Sequence, residues 1–145
     1  MNPYEASQVA PAVSPAPPVS KGRLITGYIL SVAPALMLLM GAYMNITQPE
    51  EIVKQTVEMG YTQDVMLPLG IVCIVIAVLL IIPRTALLGA LILTGYLGGA
   101  VDAHVQHKDP LLNILIPVIF ASVVWIGLVM RSPKLNSLMP WGDGL

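Results

Sequence analysis

The sequence predicts an all-α protein, a four-helix transmembrane bundle with a disordered N-terminal tail. Three observations lead there. First, of 145 residues 56% are hydrophobic and 10% charged, against about 25% charged in soluble domains. A soluble domain of this size leaves roughly 30% of its unfolded-chain surface in water, too much to be covered with so few charges, so a bilayer is the simplest solvent. Second, four nearly uncharged runs cover residues 24–44, 65–82, 85–103 and 111–130. Each is close to the ~20 residues a helix needs to cross ~30 Å of hydrocarbon. Barrel strands would alternate with period two, which these runs do not, and helices satisfy their own backbone groups. Third, Pro3, Pro11, Pro15, Pro17 and Pro18 break up the first 22 residues, which predicts an unstructured or polyproline-like cytoplasmic tail.

The elements follow in order. The tail, residues 1–22, lacks the basic, apolar and small-residue order of a secretory signal. The membrane domain covers 23–135 and a short C-terminal tail covers 136–145. Span one contains Pro34 and span four Pro117, each of which removes a backbone hydrogen bond and predicts a kink. The loop from Asn45 to Asp64 is the long one. Pro49-Glu50-Glu51 reads as a helix start, Ile52, Val53, Thr56, Val57 and Met59 make an apolar side, and Gly60 reads as its stop. This predicts a short helix on the membrane face or over the bundle mouth. Ile82-Pro83-Arg84 is a tight turn that makes spans two and three antiparallel neighbours. The lone cysteine, Cys73, sits in an apolar run and reads as a small hydrophobe; no intrachain disulfide exists.

Lysine and arginine set the orientation. Lys21, Arg23, Arg84, Arg131 and Lys134 fall on one side, Lys54 and Lys108 on the other. This predicts a multi-pass membrane protein with both termini cytoplasmic. A net charge of -1 offers no basic face to nucleic acid. Tyr43 and Trp141 are the best candidates for interface aromatics.

Polar side chains inside or touching spans are the candidate site, because a charge at the membrane centre costs ~3 kcal/mol or more. They cluster at the outer end: Asp102, His104, Tyr96, Thr94, Tyr43 and Asn45. Asp102 is the one acid touching a span, with Tyr43, Asn45 and His104 as candidate donors, and His104 beside it could handle a proton. The bland alternative is a hydrated headgroup-level carboxylate. His104 and His107 have a spacing that can share a helix face, but spacing fixes no third ligand and no metal site is expected. In span three, Ala86, Ala90, Thr94, Gly98 and Asp102 recur every fourth residue, with Gly95, Gly99 and Ala103 on the adjoining stripe. Gly95, Gly98 and Gly99 permit close helix packing, and span three is expected to be the inner helix of the bundle; alternatively, Gly98 leaves room beside Asp102 for a ligand.

Several blocks then resemble the DoxX-like family of small bacterial membrane proteins. They are Leu67-Pro68-Leu69-Gly70-Ile71, Ile82-Pro83-Arg84-Thr85-Ala86, Thr94-Gly95-Tyr96-Leu97-Gly98-Gly99-Ala100-Val101, His104, Asp109-Pro110, Pro117-Val118 and Arg131-Ser132-Pro133-Lys134-Leu135. The resemblance covers roughly residues 24–140. It implies a four-helix protein of the bacterial inner membrane, with some relatives linked to quinone-coupled oxidation of sulfur compounds or to membrane redox complexes. Two positions depart from the family pattern: Asn45, where a lysine is common, and Val72-Cys73, where a glutamate is common.

The functional expectation is a small subunit acting with a quinone or a membrane redox partner at the outer polar cluster. The competing expectation is a non-enzymatic binding or assembly module, packing a partner or a second copy through the glycine face of span three. A solute carrier is less supported, because inverted repeats are absent and buried charges are few.

Overall fold

The computed structural model describes residues 20–139. The expected disordered tail lies outside them up to residue 19, as do residues 140–145 with Trp141. Six α-helices follow in order: α1 Lys21–Thr47, α2 Glu50–Glu58, α3 Met66–Ile81, α4 Ala86–Gln106, α5 Leu111–Arg131 and α6 Pro133–Ser137, with one 3-10 turn at Gln63–Val65 before α3. No strand occurs among the described residues. Four of the helices, α1, α3 with its leading turn, α4 and α5, are long and apolar enough to cross a membrane.

The four long helices run up, down, up and down. Helix α1 packs on α3 and α5, and α4 packs on α3 and α5, so α1 and α4 face each other across a square. Span three is therefore not the inner helix; no helix is central. The core is a column of mostly small and branched side chains: Ala35, Leu38 and Ala42 of α1, Cys73, Ile76, Ala77 and Leu80 of α3, Ala86, Ala90 and Leu93 of α4, Val124 and Leu128 of α5. Large apolar side chains such as Met37, Leu91 and Ile119 are more than half exposed. In lipid that exposure costs nothing, and helices associate by close backbone approach instead.

Close approach depends on glycines outside the GxxxG pair. A Cβ on Gly127 would lie 3.0 Å from the Gly27 carbonyl oxygen and 2.9 Å from Ser31 Oγ. Gly70 meets the Ala42 carbonyl oxygen at 3.2 Å, and Gly89 meets Leu80 N at 2.9 Å. Gly27, Ser31 and Ala35 recur every fourth residue on α1, a small-residue row that was present in the sequence and is the true packing face.

Both ends have distinct chemistry. Lys21, Arg23, Arg84, Arg131 and Lys134 lie at one end, called here the basic end; the six acids of the described residues, Glu50, Glu51, Glu58, Asp64, Asp102 and Asp109, all lie at the other, the acidic end. Arg131 is no surface charge. It is buried, its Nη2 donates to the Leu80 carbonyl at 2.9 Å, and its guanidinium lies 5.2 Å from the Tyr28 ring centroid. It thus ties α5 to α3 and α1 at once.

Candidate functional site

The acidic end is roofed by the loop helix. Pro49 sits at the N-cap of α2, one residue ahead of its expected place, and Glu50 and Glu51 occupy the first turn. The helix ends in a Schellman motif: Gly60, at φ 87°, donates to the Val57 carbonyl, and Tyr61 donates to that of Thr56. This turn returns the chain toward α3 and holds Thr56, Met59 and Tyr61 over a groove of about 390 Å3. The rest of the lining comes from Leu69 of α3 and from α4, where Gly95, Gly99 and Ala103 form one stripe and Tyr96 and Ala100 the next, with His104 at the rim.

The glycines are what make the groove. A Cβ on Gly95, Gly98 or Gly99 would meet nothing within 4 Å. Within this chain the glycine face is not a packing face, contrary to the close-packing expectation. The reason is topological: α4 buries Ala86, Gly89, Ala90 and Leu93 near the basic end and Ala103 near the acidic end, while Gly95, Gly98 and Gly99 between them border open space. Tyr96, half-buried, lines both this groove and a second one of about 210 Å3 beside Cys73 and Pro117.

A second Schellman motif shapes the rim. At the end of α4, Lys108 takes φ 61°, its N–H donates to Val105, and that of Asp109 donates to the His104 carbonyl. A residue with a Cβ in this left-handed region costs roughly 1–2 kcal/mol. The turn brings the Asp109 carboxylate back onto both histidines: His104 Nδ1 to Oδ2 at 2.6 Å and His107 Nδ1 to Oδ1 at 3.0 Å. A carboxylate can only accept, so each Nδ1 carries the proton. The His104 hydrogen bond first, then that of His107, holds the Asp109 carboxyl below the usual carboxylate range. With Nδ1 committed to Asp109, the remaining nitrogen of His104, Nε2, is the one left for a ligand. No group of three or more metal-ligating side chains occurs among the described residues.

The six candidate residues do not form one cluster. Tyr96 and His104 line the groove. Asp102 is exposed and accepts from Gln106 Nε2 at 2.6 Å. It cannot join His104, because two residues on a helix stand about 200° apart. His104 finds Asp109 instead, a partner that only the αL turn at Lys108 brings within reach. Tyr43 is 60% exposed. Asn45 donates to the Gly41 carbonyl at 2.9 Å on its own helix. Thr94 donates to Ala90 and accepts from Trp125 Nε1 at 3.0 Å, tying α4 to α5. The roof residues Thr56, Met59 and Tyr61 were missed as site residues, although the apolar side of the loop helix had signalled a surface seeking cover.

Comparison with known proteins adds one positive finding. The model of the DoxX-like family matches residues 29–127. No curated protein and no solved structure matches. The match takes in α2, the groove, His104 and Asp109, and the chain belongs to the DoxX-like family.

Proposed function

We propose that this DoxX-like membrane protein binds a quinone in the groove beneath α2 and serves as a small subunit for a membrane redox partner. The observation that carries the reading is the apolar slot itself. Its volume of about 390 Å3 falls in the ~300–1,000 Å3 range of ligand sites, which combine apolar walls with a few polar groups. Gly95 and Gly99 provide a flat floor for a ring, Tyr96 supplies an aromatic wall, and His104 Nε2 can accept from a quinol hydroxyl. Asp109 acts as a positioning residue, fixing the His104 tautomer. Electrons in this reading come from the partner, and the chain binds, orients and shields. The termini are cytoplasmic, which puts the groove at the outer face.

The test is quinone content after purification from membranes in mild detergent, measured by extraction and mass spectrometry. Wild-type protein should carry quinone and Gly99→Leu should lose it. The new side chain enters open space rather than a neighbour, so the variant should keep its helical content. A wild type without quinone, or a Gly99→Leu protein that retains it in full, overturns the reading.

A second reading rests on Gly98, which is exposed, meets nothing within 4 Å and lies outside the groove. An open glycine on a membrane helix suits close contact with another helix, of a partner or a second copy. Gly98→Leu should then dissociate an oligomer seen in mild detergent; a wild type that is already monomeric removes this reading.

A further inference from the structure

A larger groove lies at the opposite, basic end. It has a volume of about 800 Å3 and runs along the outer side of α5 from Ser122 through Trp125, Ile126 and Val129 to Met130. The start of α1 closes one edge with Arg23, and the segment around α6 closes the end with Asn136 and Met139. Three features define what it can hold. Ser122 to Met130 spans about 12 Å of helix, most of the ~15 Å depth of one leaflet, and apolar side chains dominate this stretch. Arg23 is the one charged residue of the lining, makes no ion pair among the described residues, and stands at the end of the molecule from which the described acids are absent. Asn136 is buried, 8% exposed, and its Oδ1 has no hydrogen-bond partner among the described residues, although burying such an atom unpaired costs ~1–3 kcal/mol.

We infer that this groove is a binding site for one anionic glycerophospholipid of the phosphatidylglycerol type. An acyl chain lies along Trp125, Ile126 and Val129. The phosphate meets the Arg23 guanidinium, and a glycerol hydroxyl of the headgroup donates to Asn136. The match is of three kinds at once: length, charge and a missing donor. A zwitterionic choline lipid satisfies the first but has no hydroxyl to donate, and its cationic group opposes Arg23. Basic pockets at the ends of membrane helices take anionic headgroups by this logic.

Trp125 reports on the site directly. Protein with Trp141→Phe, which leaves Trp125 as the single tryptophan, is reconstituted into phosphatidylcholine vesicles. A minor fraction of lipid with brominated acyl chains is added, either phosphatidylglycerol or phosphatidylcholine. Brominated phosphatidylglycerol should quench Trp125 with roughly fivefold preference over brominated phosphatidylcholine, the equivalent of ~1 kcal/mol for one basic side chain near the surface. Arg23→Gln should abolish the preference, whereas Lys134→Gln, a change at the same end but outside the lining, should leave most of it. Equal quenching by the two lipids overturns the proposal, as does equal loss in both variants, which would reduce the effect to diffuse surface charge. Trp125 shielded from both lipids in a protein that runs as a dimer also overturns it, giving the groove to a second copy.

Discussion

Asp109 shows how much a single backbone angle can decide. With Lys108 in the left-handed region, one carboxylate serves two histidines; without it, the chain would carry Asp109 away from the helix end. Because the folded Asp109 titrates lower than an unfolded carboxyl, its contribution to stability is present above the ordinary value of ~3.9. It is lost as the pH falls through the lower folded value. Asp109→Asn should therefore lower the midpoint of thermal unfolding at neutral pH. The difference from wild type should vanish in strong acid, as thermal melts followed by circular dichroism at a series of pH values in detergent would show. A gap that persists at low pH would assign the effect to packing. Asp102, in contrast, accepts from Gln106 on the exposed side of its helix and has no other side-chain partner among the described residues.

At the scale of elements, glycines with one covalent structure have opposite roles. Gly27 and Gly127 let α1 and α5 touch backbone to backbone, whereas Gly95, Gly98 and Gly99 border open space. Gly127→Leu should thus cost several times more stability than Gly98→Leu. Cβ contacts under about 3 Å at Gly127 force the helices apart, an overpacking penalty of roughly 1–3 kcal/mol or more, while the exposed position should change by about 0.5 kcal/mol or less. Unfolding of the two variants by detergent denaturation makes the comparison. Equal losses would mean that the glycine face of α4 is also buried against something. The GxxxG spacing was legible in the sequence, but spacing says only that a face is flat. Whether a flat face meets a helix or opens on a groove depends on which neighbour the topology supplies. The row of Gly27, Ser31 and Ala35 carried the same information with less conspicuous residues.

For the whole molecule, charge among the described residues is sorted by end: five of the seven basic side chains lie at the end holding α6, while all six acids lie at the other end together with Lys54 and Lys108. The positive-inside rule acts through lysine and arginine near span ends, so the basic end should face the cytoplasm. Reporter fusions would test this. A phosphatase active only outside the cytoplasm should be silent when fused after Arg84 and active when inserted near Glu58. The reverse pattern would invert the molecule and place the groove beneath α2 at the inner face. Arg131 adds a second consequence at this scale. The orientation rule counts it as a loop charge, yet its burial against Tyr28 and Leu80 makes it the joint of three helices, at the end that holds the larger groove.

Composition and run length alone determined that this chain crosses the membrane with four helices. No other structure satisfies the backbone groups of four such runs in so short a chain, and that argument needs no knowledge of neighbours. The loop helix and its glycine stop were legible for a similar reason, since caps are local. The tertiary structure alone decided which small residues touch, which polar residues meet and where empty space remains. Those outcomes depend on the square arrangement of helices and on a left-handed turn at a lysine, and neither leaves a periodic mark on the sequence. Two members of the expected outer cluster, Tyr96 and His104, reach the groove because they lie on the stripe of α4 that faces the roof. The other four follow their own helical angles elsewhere.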